Sequence, residues 1–269
     1  MDTYLLLEKK VGETPLSCLE AYRTIHPELA DIPLAYAGRL DPMASGKLLI
    51  LVGDECKNQE QYHGLDKEYE FSVLFGIESD SQDVLGRLQT CATVPTSELT
   101  ENLSSILPTL SGNIELPYPI FSAKTVQGKP LHTWTMEGRL DEIEIPTKQS
   151  TIYELELLSL ETMLREPVCD HARNNIDTIP PVTDIRKALG NDFRRVDVRK
   201  DWENIRCNDS LPDAYTIAHF RCIASSGTYM RTLASSLAKK FGTCGLASRI
   251  HRTTIGTYNQ LTSTWEREF

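Results

Sequence analysis

The chain has 269 residues, of which 40% are hydrophobic and 25% are charged, and its formal net charge is −10 at pH 7. These values are ordinary for a globular protein, and the length predicts one large domain or two small ones. No apolar run approaches the roughly 20 residues of a membrane-spanning helix, and residues 1–4 lack the pattern of a signal peptide. The acidic balance counts against a nucleic-acid-binding protein, because phosphate contacts usually come with a basic surface.

The seven cysteines are scattered, odd in number and without a Cys-x-x-Cys pair. This usage predicts reduced thiols in a cytoplasmic compartment, and it counts against a zinc site or a disulfide framework. We interpret them as small core residues.

The chain opens with an apolar stretch, residues 4–12, that predicts a strand entering a turn. Residues 14–23 predict a helix, in which Thr14 is the N-cap and Pro15 takes the first helical position.

Segment 36–46 reads Tyr-Ala-Gly-Arg-Leu-Asp-Pro-Met-Ala-Ser-Gly and precedes an apolar run, 47–53, that is typical of a buried strand or the start of a buried helix. Two glycines permit unusual backbone angles here, and Pro42 fixes the angle just after the carboxylate of Asp41. Asp41 is therefore predicted to be held rigidly and partly out of water. From these residues alone, a structural Asx turn in which Asp41 bonds its own loop remains open.

The order Gly-x-Leu-Asp-Pro-x-Ala-x-Gly before an apolar run resembles the catalytic loop of the TruB family of tRNA pseudouridine synthases. The resemblance implies an α/β (α+β) pseudouridine synthase fold, with a mixed, largely antiparallel central sheet flanked by helices. It also implies that Asp41 is the nucleophile. Two departures stand out: Lys10 replaces a proline of the family's opening, and Tyr36 stands where many bacterial relatives have a histidine that contacts RNA.

Residues 66–76 alternate at strand period and place Tyr69 on the core face, where its hydroxyl needs a partner. An ordinary core tyrosine remains open. The Lys-x-Tyr pair of Lys67 and Tyr69 resembles the family's second motif, which implies that Tyr69 packs against the target uracil and accepts a proton, and that Lys67 contacts substrate. The acidic stretch 78–86 also resembles a family segment. It lacks the spacing of a calcium loop, and we interpret it as a solvated turn.

The middle of the chain predicts a helix over 96–107, stopped by Pro108, and then a long loop or irregular hairpin over 117–131. A proline-rich surface loop is one interpretation. The loop is also similar to a family segment that closes over an RNA stem-loop, which implies a thumb-like element over 117–146 whose Lys124 and Lys129 contact phosphates.

A clear strand over 151–160 precedes a predicted helical insertion, 165–213, that is longer than the family's usual connection. Its helical spacing over 182–204 rests on apolar residues: Ile185, Leu189, Phe193, Val196, Val198 and Trp202. Its basic residues form either a solvated helix face or an RNA patch: Arg186, Lys187, Arg194, Arg195, Arg199 and Lys200.

The last third predicts a strand over 215–224 that leads through Ser-Ser-Gly-Thr-Tyr-Met-Arg-Thr into a helix. A buried Arg231 at this junction needs a carboxylate partner, because an unpaired buried charge is very costly. We infer that Asp41 is that partner, and that the pair keeps Asp41 ionised and oriented.

This segment resembles the family's third signature, and residues 245–252 resemble its closing motif. The resemblance implies that Tyr229 and Ile250 line the uracil pocket. Within the closing motif, Arg249 and Arg252 are expected to face phosphates.

The resemblance covers residues 4–160 and 215–258 and implies a single catalytic domain over 1–269 without a C-terminal PUA domain. It implies a cytoplasmic monomer that flips out uridine 55 of the tRNA T-loop and isomerises it with Asp41, Tyr69 and Arg231. No metal, organic cofactor, DNA or membrane is implied. With the acidic balance, we expect salt-sensitive RNA binding or help from a partner.

Two other functions are considered. A catalytically silent RNA-binding or folding factor would have no reason to keep Asp41, Tyr69 and Arg231 together. A carbohydrate hydrolase would need a second acid beside Asp41, and no comparable loop supplies one.

Overall fold

The protein is described here by a computed structural model that covers residues 3–181 and 194–269. Within that part the strands are β1 (Tyr4–Lys9), β2 (Leu34–Tyr36), β3 (Ser45–Val52), β4 (Asp66–Phe75), β5 (Ile77–Ser79), β6 (Leu88–Thr90), β7 (Gly112–Pro117), β8 (Thr125–Val126), β9 (Lys129–Pro130), β10 (Thr147–Leu164), β11 (Ala214–Ala224), β12 (Gly245–Asn259) and β13 (Thr264–Glu268). The α-helices are α1 (Pro15–Ile25), α2 (Gln59–His63), α3 (Thr96–Ile106), α4 (Leu131–Met136), α5 (Arg165–Thr178), α6 (Arg195–Cys207) and α7 (Met230–Lys240).

One nine-stranded sheet organises the fold, in the order β1-β3-β12-β4-β11-β10-β7, with β13 beside β12 and β2 beside β3. β3 and β12 run parallel, while the neighbouring pairs, such as β4 with β11, are antiparallel. The predicted mixed, largely antiparallel sheet flanked by helices is confirmed. No helix in the described ranges is both long and apolar enough to cross a bilayer.

The core lies around β4, the central strand, because its alternating aromatic and aliphatic residues are buried. Phe71 stacks on Phe220 of β11 with a centroid distance of 5.4 Å. α7 packs against β12 and β4 and buries Leu233 and Leu237. Each such side chain contributes about 1.5–3 kcal/mol by leaving water.

The first helix begins as the sequence predicts. Thr14 caps α1 by accepting a hydrogen bond from the backbone N–H of Ser17 at 3.0 Å, and Pro15 takes the first helical position. The turn before it donates from Gly12 N to Pro42 O at 2.8 Å, which ties the chain's opening to the Asp41 loop.

In the described part of the predicted insertion, residues 165–181 and 194–213, the helices α5 and α6 pack against each other. Trp202 of α6 is fully buried, and its indole N–H donates to the carbonyl of Val84 at 3.0 Å. Arg195 is buried and Arg199 pairs with Asp177 of α5 at 2.7 Å, so these two arginines do not form an exposed basic patch. The helical positions predicted at Ile185, Leu189 and Phe193, and the charges of Arg186 and Lys187, lie outside the described residues.

The loop over 117–131 contains the irregular hairpin that its sequence indicates, formed by β8 and β9. It continues into the short helix α4, which the sequence analysis did not predict. Trp134 of α4 is buried and donates to the carbonyl of Val126 at 3.1 Å, so the hairpin and the helix form one packed unit.

One cysteine prediction is wrong. Cys91 and Cys244 form a disulfide although 153 residues separate them in the chain. β12 begins next to the end of β6, and only the folded sheet brings the two sulfurs together. Cys18, Cys169 and Cys222 are buried free thiols, as expected, whereas Cys56 is half-buried and Cys207 is exposed, so these two are not core residues.

Candidate active site

Asp41 and Arg231 meet at the floor of a cleft, as inferred from the sequence. The Nε of Arg231 donates to Oδ2 of Asp41 at 2.8 Å, and its Nη2 donates to Oδ1 at 3.2 Å. Arg231 is 3% exposed, whereas the Asp41 side chain is 37% exposed. The bidentate geometry fixes the carboxylate and leaves it accessible from the cleft. The side chain of Asp41 is thus engaged with Arg231 rather than with its own loop.

The Asp41 loop is anchored to the far end of the chain through Gly46. This glycine has φ +110°, and a Cβ placed on it would lie 2.2 Å from the carbonyl oxygen of Arg252. Gly46 and Arg252 are paired in the parallel ladder of β3 and β12. A larger residue at 46 would force these strands apart, because the contact is with backbone.

Asp83 is a second carboxylate at the same arginine, and it corrects the interpretation of 78–86 as a solvated turn. Asp83 is 4% exposed, and its Oδ2 lies 3.8 Å from the Nε of Arg231. Its other oxygen accepts from the hydroxyl of Ser81 at 2.6 Å and from the backbone N–H of Leu85 at 3.0 Å. The turn folds into the protein and supplies a buried counter-charge.

Arg231 is held on all sides. Its Nη1 donates to the carbonyl of Ser81 at 2.8 Å, and its Nη2 donates to the carbonyl of Phe121 at 3.3 Å. Burial opposes its charge, but the carboxylates of Asp41 and Asp83 outweigh that effect and raise the pKa of Arg231 above its ordinary value. It is therefore a permanent cation that orients Asp41.

A cavity of about 640 Å³ opens above this pair. That volume falls within the range of ordinary small-ligand pockets. Its lining unites most of the residues predicted for the site: Tyr36, Asp41, Lys67, Tyr69, Tyr229, Arg231 and Ile250.

Two tyrosines, Tyr69 and Tyr229, contribute to the cavity wall. Burial raises the pKa of Tyr69, and the nearby charge of Arg252 opposes that shift. Burial and the charge of Asp41 raise the pKa of Tyr229. The ring of Tyr229 also makes an edge contact with Tyr118 at 5.7 Å between centroids. Both phenols are protonated at neutral pH and can donate hydrogen bonds into the cavity.

The other cations near the cavity meet backbone carbonyls. Burial lowers the pKa of Lys67 to about 8, and its ammonium donates to the carbonyl of Leu65. Lys9 is fully buried beneath the catalytic loop and donates to the carbonyl of Ala44 at 2.6 Å. Burial lowers its pKa to about 8 as well.

Arg252, which was expected to face phosphates, lies inside the protein at the cavity and not on the outer surface. Arg252 is 1% exposed, and it donates to the carbonyl of Lys47 at 2.7 Å and to that of Arg39 at 3.3 Å. The pleat of β12 turns it into the protein, while its exposed neighbour Arg249 lies 3.4 Å from Glu70.

The two lysines of the 117–131 loop do not line the cavity. Lys129 is held by Glu137 at 2.6 Å and lies over the ring of Trp134 at 4.3 Å. Lys124 is exposed, with its ammonium 5.2 Å from the ring centroid of Tyr118. Of the two, Lys124 is the more exposed.

Four contributors to the site and its immediate surroundings were not predicted from the sequence: Lys9, Arg39, Asp83 and the backbone of Phe121. Lys9 occupies an inward position in the alternation of β1, and a lysine at such a position is a usable signal. Arg39 lines the cavity two residues before Asp41. The carbonyl of Phe121 could not be assigned from sequence, because a backbone contact leaves no mark on residue type.

The arrangement can perform nucleophilic chemistry on a small planar group. It offers a carboxylate fixed by a cation, two aromatic side chains in the cavity lining and two buried cations at its margin. Within residues 3–181 and 194–269, no three His, Cys, Asp or Glu side chains converge to hold a metal ion.

The sequence model of the TruB family pseudouridylate synthase N-terminal domain matches residues 32–174, which is more than half of the chain. This chain belongs to the TruB family. The match includes Asp41 and Tyr69, and it extends through the 117–146 segment.

Curated TruB relatives align with nearly the whole chain. The chain is 26% identical to tRNA pseudouridine synthase B of Caldicellulosiruptor saccharolyticus, covering 96% of this chain and 69% of that relative. It is 29% identical to the enzyme of the same name from Aromatoleum aromaticum, covering 96% and 65%. It is 28% identical to tRNA pseudouridine synthase 4 of Saccharomyces cerevisiae, covering 79% and 58%. The chain thus spans between 58 and 69% of the length of these relatives.

Solved structures agree on the fold. A chain of the Cbf5-Nop10-Gar1 complex superposes with a TM-score of 0.53 at 15% identity, covering 94% of this chain and 48% of that one. At this identity the likeness shows the shared TruB-type architecture alone.

Proposed function

We propose that this TruB-family chain isomerises a uridine of tRNA to pseudouridine. The observation that carries the proposal is the bidentate pair of Asp41 and Arg231 at the floor of the 640 Å³ cavity. The names of the curated relatives, tRNA pseudouridine synthases, support tRNA as the substrate.

We propose uridine 55 of the T-loop as the target base. A uridine stacked within a folded loop cannot reach Asp41, whose carboxylate lies at the bottom of the cleft. The nucleotide therefore has to be flipped out of its stack into the cavity. Tyr69, Tyr229 and Ile250 then enclose the base.

Asp41 opens the reaction by breaking the glycosidic bond between C1′ and N1, either by attack on the sugar or by assisting elimination. Arg231 holds the carboxylate in a fixed orientation, so little reorganisation is needed when the bond breaks. The uracil turns within the enclosed cavity and rejoins C1′ through C5. This step breaks the bond between Asp41 and C1′ on the attack route, and on the elimination route a proton returns to C2′. N1 gains a proton and C5 loses one, so the product is an isomer of the substrate.

Tyr69 is proposed to receive the C5 proton, directly or through a water that it holds. Its raised pKa makes the neutral phenol the resting state. Its oxygen therefore takes this proton only while passing its own proton onward, which favours a relay over a phenolate base.

We propose that one copy of the chain acts as a single catalytic unit, since every residue invoked comes from the same chain. Lys67, Arg39 and Lys124 supply positive charge around the opening. This local charge allows an acidic protein to bind a polyanion, at the cost of strong salt dependence.

The test is pseudouridine formation on an unmodified tRNA transcript, with Asp41→Asn as the key variant. We expect modification by the wild type and none by Asp41→Asn. Asp54→Asn is the matched control, because Asp54 is an exposed surface carboxylate paired with Lys57, and it is expected to retain full activity. Binding of tRNA without modification by the wild type would favour the RNA-binding factor instead.

A further inference from the structure

Arg194 joins two segments that lie next to the proposed active site. It directly precedes α6, in a left-handed conformation with φ +64°. Its Nη1 donates to Oδ2 of Asp80 at 2.8 Å, and its Nη2 donates to Oδ1 at 2.8 Å. This fork-to-fork pair is only 19% exposed on the arginine side, so solvent screens it less than a surface pair.

The same guanidinium also lies over the ring of Phe121, with its central carbon 4.7 Å from the ring centroid. Stacking on an aromatic face is a property of arginine that lysine reproduces poorly. Arg194 therefore holds the 79–83 turn through its two hydrogen bonds to Asp80. It holds the 117–131 loop by stacking the plane of its guanidinium on Phe121.

Both segments present a backbone carbonyl to Arg231. Ser81, the neighbour of Asp80, accepts from Nη1 of Arg231 at 2.8 Å, and Phe121 accepts from Nη2 at 3.3 Å. Because a guanidinium is planar and its donors are fixed, these two carbonyls determine the orientation in which Arg231 meets Asp41.

We propose that Arg194 is a positioning residue for the Asp41–Arg231 pair. It fixes the two segments whose carbonyls orient Arg231, and in this way the helical insertion takes part in catalysis without touching substrate. This inference rests on the function proposed above. Placement errors of about 1 Å at such a pair can reduce a rate by roughly 100-fold.

The packing of α6 against the rest of the protein supports this role. Trp202, fully buried, bonds the carbonyl of Val84, and Arg87 bonds Asp201 of α6 at 2.6 Å. The helix is therefore held against the residues that follow the 79–83 turn, and Arg194 at its start has a fixed base from which to act.

The kinetic test compares Arg194→Gln, Arg194→Lys and Arg199→Gln in single-turnover pseudouridine formation at saturating tRNA. Arg199 is the matched control, since its pair with Asp177 stabilises the insertion without reaching the 79–83 turn. We expect Arg194→Gln to lower the rate roughly 10- to 100-fold, with tRNA affinity changed less than about threefold. We expect Arg194→Lys to be intermediate, because it keeps the charge and loses the fork, and Arg199→Gln to match the wild type.

A second readout does not depend on activity. The Nε–H signal of Arg231, assigned by its loss in Arg231→Lys, reports how tightly that group is held. We expect its hydrogen exchange to be about tenfold faster in Arg194→Gln and unchanged in Arg199→Gln.

The outcomes separate the two proposals. A wild type that makes no pseudouridine contradicts the proposed function, and the exchange rates still decide whether Arg194 positions Arg231. An active wild type with unchanged rate or unchanged exchange in Arg194→Gln overturns the role of Arg194. An equal loss in Arg199→Gln also overturns it, since the effect would then come from general loosening of the insertion.

Discussion

The buried cations of the cavity lining are compensated in two different ways. In what we call the carboxylate wall, Arg231 is paired with Asp41 and Asp83. Lys67 and Arg252, which we call the carbonyl wall, are similarly buried but donate to backbone carbonyls. Carbonyl dipoles solvate a cation without cancelling its charge.

This difference indicates which buried cations already have a counter-charge in the protein before substrate binds. In the carboxylate wall the cation is compensated within the protein, which suits a rigidly held ion pair. The carbonyl wall keeps net positive charge facing a cavity in a chain whose overall charge is −10. A polyanionic ligand would complete its compensation, and focusing by the surrounding low-dielectric walls would strengthen the attraction.

The sharpest way to break the comparison is Arg231→Leu. This change leaves Asp83 buried without its cation, and breaking a buried pair in this way costs about 3–5 kcal/mol. We expect a loss of that size in the free energy of unfolding measured with urea, together with loss of pseudouridine formation.

The control is Arg221→Leu, because Arg221 pairs with Glu68 and Glu154 in a more exposed place, 30% exposed on its side chain. We expect this variant to lose less stability and to keep its activity. Equal losses of unfolding free energy in the two variants would show that the carboxylates around Arg231 stabilise the fold no more than a partly exposed ion pair does.

Lys67→Met tests the carbonyl wall through pH. Burial lowers the pKa of Lys67 to about 8 from an ordinary 10.5. Below pH 8 the lysine is charged in both states, and burial costs stability. Between pH 8 and 10.5 the folded state releases the proton while the unfolded state keeps it, so wild-type stability rises with pH.

We expect Lys67→Met to lack this rise and to be more stable than the wild type at pH 7, by up to about 3 kcal/mol. The same variant is expected to bind tRNA more weakly at pH 7, because the cation is gone. Urea unfolding and tRNA binding from pH 6 to 10.5 measure both effects, with Lys57→Met as a surface control. A variant that is less stable and still binds tRNA as tightly would refute the interpretation that the charge of Lys67 is left uncompensated until a polyanion binds.

The smallest expected effect concerns Lys124 and Lys129 of the 117–131 loop, which do not line the cavity. It is a change in the salt dependence of tRNA binding. Lys124→Ala is expected to reduce the slope of log affinity against log salt by about 1, as for one lost phosphate contact. Lys129→Ala is expected to change it little, because Lys129 is already paired with Glu137. Titrations of tRNA binding between 50 and 200 mM salt, about the range in which such contacts weaken most, decide between them.

The fold was predictable where short-range patterns in the sequence determine an element. The alternation in β4 and β11, the cap at Thr14 and the apolar run after Asp41 are short-range signals, and each element lies where its residues indicate. The Asp41–Arg231 pair was also accessible from sequence, because a buried arginine requires a partner and the loop supplied one.

What the sequence could not reveal depends on tertiary placement. Asp83 stands in a polar stretch that looks like a surface turn, and its burial requires the side chain of Arg231 on α7, about 150 residues later. Arg249 and Arg252 are three residues apart in β12, so strand alternation places them on opposite faces, and only the packing around the strand shows that the Arg252 face is buried. The Cys91–Cys244 bond likewise joins distant segments.

The parallel contact between Gly46 and Arg252 has a consequence for how the protein is made. Asp41 is synthesised early, whereas Arg231, which pairs with it, follows 190 residues later, and Arg252, which contacts Gly46, follows later still. During translation the carboxylate does not have both supports until Arg252 has emerged. A shorter nascent chain therefore lacks the assembled cleft, and Asp41 is held in position only after these long-range contacts form.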